Sequence, residues 1–123
     1  MTKSDFLIGV VGPCGAGKTT LVKNLRENNY VAKAIAQEHS YVPDMWQKLS
    51  KPSFLIYLSA SYETTIERKK FAWTFDEYSK QLGRLKHAFQ HADLVIQTDN
   101  TSIEEVFIHA EMSLSEIKFN ELE

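Results

Sequence analysis

Apolar residues in this chain fall alternately into short unbroken runs and into stripes of helical period. Residues 6–11, Phe6-Leu7-Ile8-Gly9-Val10-Val11, have the length and composition of a buried strand, and 20–26 reads as an amphipathic helix. Asn28-Asn29 supplies turn chemistry, after which 30–36 alternates as a second strand and ends at Gln37-Glu38-His39-Ser40. Pro43 opens a short helix to about Leu49, and Pro52 stops it. The run 53–59 is apolar on both faces, as a central parallel strand requires. Ser61 caps a helix to about Phe71, and Thr74-Phe75-Asp76-Glu77 is a capping box that opens the next one. That helix carries the apolar stripe Tyr78, Leu82, Leu85 and Phe89. A last strand over 92–96 and a turn at Thr98-Asp99-Asn100 lead to a terminal helix capped by Thr101 or Ser102. Ile103, Val106, Phe107, Ala110, Leu114 and Ile117 line its buried side. Strands alternating with helices through right-handed crossovers predict an α/β fold, a three-layer α/β/α sandwich on a short parallel sheet of about four strands. Ligands of such folds bind at the carboxyl ends of the strands. No repeat, low-complexity tract or linker divides 1–123, which is expected to be one domain.

The first strand and the first helix are joined by Gly12-Pro13-Cys14-Gly15-Ala16-Gly17-Lys18-Thr19, which fits the P-loop pattern of two glycines flanking four residues, then Lys and a hydroxyl. Strand, loop and helix in that order are the context the motif needs. Gly12, Gly15 and Gly17 allow backbone conformations that a Cβ would block, so successive N–H groups can enclose a phosphate. The helix N-terminus adds positive potential, Lys18 is expected to reach the β- and γ-phosphates, and Thr19 offers a hydroxyl to Mg²⁺. The glycines do not fall at the G-x-G-x-x-G spacing of a dinucleotide fold.

At 123 residues the chain is short for an α/β nucleotide enzyme. Its 43% hydrophobic and 24% charged residues are ordinary for a globular protein. A net charge of −2 lacks the basic excess of nucleic-acid binders, so no nucleic-acid partner is expected. The longest apolar run, Phe54 to Leu58, is too short for a bilayer, and Asp5 interrupts any signal-peptide pattern, so a cytoplasmic protein is expected. Cys14 is the single cysteine and reads as a small residue that fits the loop, although the helix dipole and Lys18 could also activate it.

Three segments resemble the nucleotide and shikimate kinase-like group of P-loop proteins: the glycine loop, 52–61 followed by Glu63, Thr64 and Arg68, and 92–100 leading into Ile103-Glu104-Glu105-Val106. The resemblance implies a P-loop NTPase fold and a nucleotide site made by Gly12, Pro13, Cys14, Gly15, Ala16, Gly17, Lys18, Thr19, Thr20, Arg68, Asp99 and Asn100, the last two near the base. Lys18, Glu38 and Arg68 stand at catalytic positions, and Thr19 at the metal. In such kinases the strand after the first helix often ends in an acidic residue facing the loop, and Glu38 stands there, able to accept the acceptor hydroxyl's proton or to help hold the metal. Glu38 reads equally well as a solvated loop residue, His39 reads first as polar surface, and Asp44 is a second possible carboxylate that reads equally well as a helix-start residue. Arg68 matches the group's phosphate-clamping arginine.

Lys80, Arg84, His87 and His91 share one helical face, read as a solvated stripe with ligand contact as the alternative. Tyr41, Pro43, Met45 and Trp46 could shape an acceptor pocket, although such residues are more often core, and Trp73 is equally ambiguous. The chain departs from the group in two ways: the lid reduces to little more than 71–74, and no apolar strand ending in Asp supplies a Walker B carboxylate. The resulting expectation is an ATP-binding protein that uses Mg²⁺ and transfers the γ-phosphoryl to a small hydroxyl- or phosphate-bearing acceptor, as a kinase or slow ATPase. The alternative is a nucleotide-dependent sensor with little catalysis. A GTPase is disfavoured by the lack of Asp-x-x-Gly and Asn-Lys-x-Asp elements, and either a monomer or a homodimer is compatible with the pattern.

Overall fold

A computed structural model describes residues 6–69 and 72–122, and its elements alternate as the apolar pattern predicts. In chain order they are β1 (Leu7–Val11), α1 (Lys18–Glu27), β2 (Val31–Ala34), a 3-10 turn (Gln37–His39), α2 (Met45–Ser50), β3 (Phe54–Ser59), α3 (Tyr62–Lys69), α4 (Phe75–His91), β4 (Leu94–Gln97) and α5 (Ile103–Leu122). The four strands form one all-parallel sheet in the order β2-β1-β3-β4, with Ile8 opposite Ala32 and Phe54, and Ile56 opposite Leu94. Every strand therefore ends at the same edge, and the segments after β1, β2, β3 and β4 gather there.

Strand alternation sorts the core onto the two faces of the sheet. Ile8, Val10, Phe54, Ile56 and Leu58 pack with Leu21, Val22 and Leu25 of α1 and with Val106, Ala110 and Leu114 of α5. Val11, Leu55 and Tyr57 point the other way, against Trp46 of α2 and Leu85 and Ala88 of α4. Helices thus cover each face, an arrangement compatible with a three-layer α/β/α sandwich. Central strand β3 is buried along five of its six residues, whereas edge strand β2 buries only Ala32. Among the described residues no helix is long and apolar enough to cross a membrane.

The capping box forms as expected: Thr74 Oγ1 accepts from Glu77 N at 3.1 Å, while Glu77 Oε1 accepts from Thr74 N at 3.4 Å. Several expectations are corrected. The second strand is cut to four residues because the chain turns sharply into the 3-10 segment, and α2 begins at Met45 rather than Pro43. β4 starts two residues late because Asp93 engages β3 instead, its N–H donating to Leu55 O and its Oδ2 accepting from Leu55 N, both at 2.8 Å. On α4 the buried stripe is Tyr78, Gln81, Leu85 and Ala88, with Leu82 half-buried and Phe89 turned toward solvent, where its ring meets the edge of Tyr57. On α5, Ile103 is exposed and Phe107 and Ile117 are half-buried. The expected end of the preceding helix at Phe71 lies outside the described residues.

Candidate functional site

The glycine loop leaves the carboxyl end of β1 and turns directly into α1. Gly12 sits so close to β3 that a Cβ there would collide with the Leu58 carbonyl oxygen. Gly17, the residue before α1, has φ +100 and ψ +21, a left-handed conformation that L side chains resist. The first helical bond of α1 runs from Leu21 N to Gly17 O, which leaves the N–H groups of Lys18, Thr19 and Thr20 without intrahelical acceptors. Two loop amides are already engaged, Cys14 N with Gln81 Oε1 at 2.9 Å and Ala16 N with Pro13 O at 3.1 Å. The enclosure expected from successive inward N–H groups is therefore interrupted at Cys14 and Ala16.

Lys18 folds back over the loop. Its ammonium donates to Gly12 O at 2.7 Å and to Pro13 O at 3.2 Å, and it pairs with Glu38 Oε2 at 2.9 Å. Glu38, on the 3-10 turn just after β2, is not a solvated loop residue: its side chain is only 5% exposed. Its other oxygen, Oε1, is buried and has no hydrogen-bond partner. A buried carboxylate with one neutralised and one unsatisfied oxygen is costly to maintain, and such an atom calls for a ligand or a functional role. β3, the other neighbour of β1, continues into Ser59, Ala60 and Ser61, so Glu38 is the acidic residue that the flanking strands bring to the loop.

A second ring of contacts fixes this pair. Gln37, fully buried, donates to Val42 O at 2.9 Å and Arg84 O at 3.1 Å and accepts from Trp46 N at 2.8 Å, tying the turn to α2 and α4. Arg84 donates to Glu38 O at 3.2 Å and lies over the Tyr41 ring, while His87 accepts the Trp46 indole N–H at 3.1 Å. On the basic face of α4, Arg84 thus holds the Glu38 turn and His87 holds α2 rather than facing bulk water, while Lys80 pairs with Asp76 on its exposed part. Trp46 and Trp73 are core residues, the latter donating to Thr65 Oγ1 at 3.0 Å. Asp44 pairs with Lys48 one turn along α2.

Arg68 reaches the loop from α3. Its guanidinium donates to the carbonyls of Gly15 and Ala16 at 3.3 Å and to Thr98 Oγ1 at 2.9 Å. It borders a cleft of about 700 Å³ lined also by the 15–21 segment, Thr98, Thr101, Ser102, Ile103 and Val106. Thr19 and Thr20 open into this cleft; Asp99 and Asn100 do not line it. Asp99 instead accepts from Ser61 N at 2.9 Å and fastens the end of β4 to the start of α3.

Neither a family model nor a curated protein matches this chain. Its chemistry must therefore be read from the residues themselves. The structure brings Lys18 and Glu38 together, sets Arg68 with Lys18, Thr19 and Thr20 in the lining of one cleft, and gives Asp99 a fastening role. Sequence reasoning missed Gln81, whose amide holds both Cys14 N and, at 3.2 Å, Cys14 Sγ. The available signal was an amide at 81 in register with Tyr78 and Leu85 on one helical stripe. It also missed Thr101 and Ser102 as cleft residues.

Burial raises the Asp99 pKa, but the Ser61 N–H, the Thr64 and Ser61 hydroxyls and the Arg68 charge outweigh it, leaving the pKa below its ordinary value of 3.8. The stabilisation this supplies is fully present above pH 3.8 and disappears as the pH falls through the lower folded-state value. Urea unfolding of wild type and Asp99→Asn is therefore expected to differ at neutral pH and to converge in strong acid. A gap that stays constant with pH would rule out this role for the ionised carboxylate.

Proposed function

We propose that this chain is a P-loop protein that binds a nucleoside triphosphate, with ATP as the first choice, and moves its γ-phosphoryl to a small acceptor. The observation that carries this reading is Lys18, paired to a buried carboxylate while resting on the carbonyls of its own loop. A triphosphate at the start of α1 would compete with Glu38 for the ammonium, because several phosphate oxygens offer more negative charge than one carboxylate. The free N–H groups at the helix start point to the same anion. Arg68, planar and lining the 700 Å³ cleft with Ile103 and Val106, suits a base or sugar on that side better than the γ-phosphate.

Once Lys18 turns to phosphate, Glu38 keeps only the His39 ring beside it, 3.8 Å from Oε2, and is open to a proton. The acceptor oxygen then bonds to the γ-phosphorus, the bond to the β,γ-bridging oxygen breaks with its electron pair going to the diphosphate, and the acceptor's proton passes to Glu38. Thr19 and the phosphates would hold Mg²⁺, which neutralises charge on the transferring group. The Glu38 oxygen without a partner fits either an acceptor proton or a cation.

A second reading, a nucleotide sensor that turns over slowly, is favoured by one observation: the flanking strand β3 ends in Ser59, Ala60 and Ser61 with no carboxylate for the metal. Thermal denaturation with ATP, GTP and Mg²⁺ tests the common element of both readings. At a hundred times its dissociation constant a bound nucleotide stabilises by about 2.7 kcal/mol, which raises the Tm of a domain this size by roughly 10 °C. No shift with any triphosphate removes both readings, and a shift without diphosphate release in an acceptor screen selects the sensor.

A further inference from the structure

Cys14, Glu38 and His39 meet beside the loop. The Cys14 Sγ lies 3.6 Å from His39 Nε2, Glu38 Oε2 lies 3.8 Å from the same nitrogen, and one ligand atom from each residue falls within 4.8 Å of the others. From these residues we infer that the chain carries a site for one thiophilic divalent cation of the zinc class, bound by Cys14, His39 and Glu38. Zinc–sulfur bonds of about 2.3 Å and zinc–nitrogen bonds of about 2.0–2.1 Å at a tetrahedral angle set sulfur and nitrogen about 3.5–3.6 Å apart. The observed separation is already that of a bound pair. The second, independent observation is Glu38: its side chain is 5% exposed, and Oε1 has no partner while Oε2 holds Lys18. The carboxylate reaches the cluster through Oε2, which it shares with Lys18, and keeps Oε1 as a second oxygen with no protein partner.

The ligand set excludes magnesium, which demands oxygen donors, and selects a metal that accepts sulfur and imidazole. Three protein ligands leave a fourth tetrahedral position for water or another donor. Gln81 positions the thiol: its Nε2 donates to Sγ at 3.2 Å while its Oε1 fixes the Cys14 amide. Binding releases the thiol proton and joins the glycine loop to the turn after β2. An ion here also withholds Glu38 from an acceptor, a consequence that rests on the phosphotransferase reading; the binding itself does not.

The test is a Co²⁺ titration of the untagged full chain without nucleotide, followed by displacement with Zn²⁺. Wild type is expected to show a sulfur-to-cobalt charge-transfer band that saturates at one ion per chain and vanishes on adding Zn²⁺. With a single cysteine in the chain, the band reports Cys14 alone. His39→Ala and Glu38→Gln are each expected to weaken Zn²⁺ binding at least about tenfold, the lower end of losses seen when metal-site partners are removed. His39 is 60% exposed, so its replacement spares the fold, and circular dichroism verifies each variant. Absence of the band in wild type, or unchanged affinity in His39→Ala, overturns the site. Because no nucleotide is present, failure here leaves the triphosphate reading untouched, and failure of nucleotide binding leaves the metal site untouched.

Discussion

If the chain binds a triphosphate as proposed, Lys18→Ala is expected to cost it both that ligand and a large part of its stability. Removing the ammonium deletes charge-assisted contacts to the phosphates; two such contacts at about 1.5 kcal/mol each correspond to roughly a hundredfold weaker binding. The same substitution strands Glu38, whose carboxylate is 5% exposed and has Lys18 as its 2.9 Å ion-pair partner. Breaking a buried pair from one side leaves an uncompensated charge and costs about 3–5 kcal/mol. Glu38→Gln keeps the shape and removes the charge, so it is expected to destabilise less, to retain nucleotide binding and to abolish transfer. The double variant Lys18→Ala/Glu38→Gln is then expected to recover part of the stability lost in Lys18→Ala, because no buried charge remains. Urea unfolding of the four proteins measures the coupling. If the double variant is as unstable as the sum of the singles, the ion pair carries no energy. If Glu38→Gln transfers phosphoryl groups at the wild-type rate, the base assignment is wrong.

Gly12→Ala should be the most damaging single methyl in the glycine loop. The added Cβ would enter the envelope of the Leu58 carbonyl oxygen, a backbone atom of the central strand that cannot rotate away. Relief requires β1 and β3 to separate, and overpacking against backbone costs about 3 kcal/mol or more. For a domain of this size that lowers Tm by about 10 °C. Gly17→Ala provides the comparison. No atom lies within 4 Å of its added Cβ, but φ is +100, so the penalty is conformational alone, about 1–2 kcal/mol. Gly12 shares a positive φ, +156, so thermal unfolding of the two variants measures what the collision adds to backbone strain, and equal losses would show that the contact with Leu58 is not what requires glycine at position 12.

The sheet and its helices were largely legible because burial writes itself into local pattern. The run from Phe54 to Leu58 is apolar on both faces, and β3 is buried on both. The capping box at Thr74 was readable because its two hydrogen bonds are local to one turn. What failed did so where distant residues compete. Phe89 fits the apolar stripe of α4 by spacing alone, but Gln81 and Ala88 hold the buried positions, since an amide that satisfies Cys14 can be buried without an unpaired polar group. β4 begins late because Asp93 reaches across to Leu55, a partner 38 residues away.

The glycines, lysine and hydroxyl of the loop belonged to the sequence from the start, since such a loop is built from consecutive residues with fixed spacing. So did the placement of Glu38 after the second strand. Only the folded chain decided that this carboxylate is buried against Lys18 rather than solvated, that Arg68 borders the cleft beside the start of α1, and that Cys14 and His39 meet over Glu38. These relations join residues 20 or more positions apart, and their geometry comes from the parallel register that brings all strand ends to one edge. Spacing along a chain specifies what one segment can do alone; the distances between charges on different segments exist only after the sheet has set them.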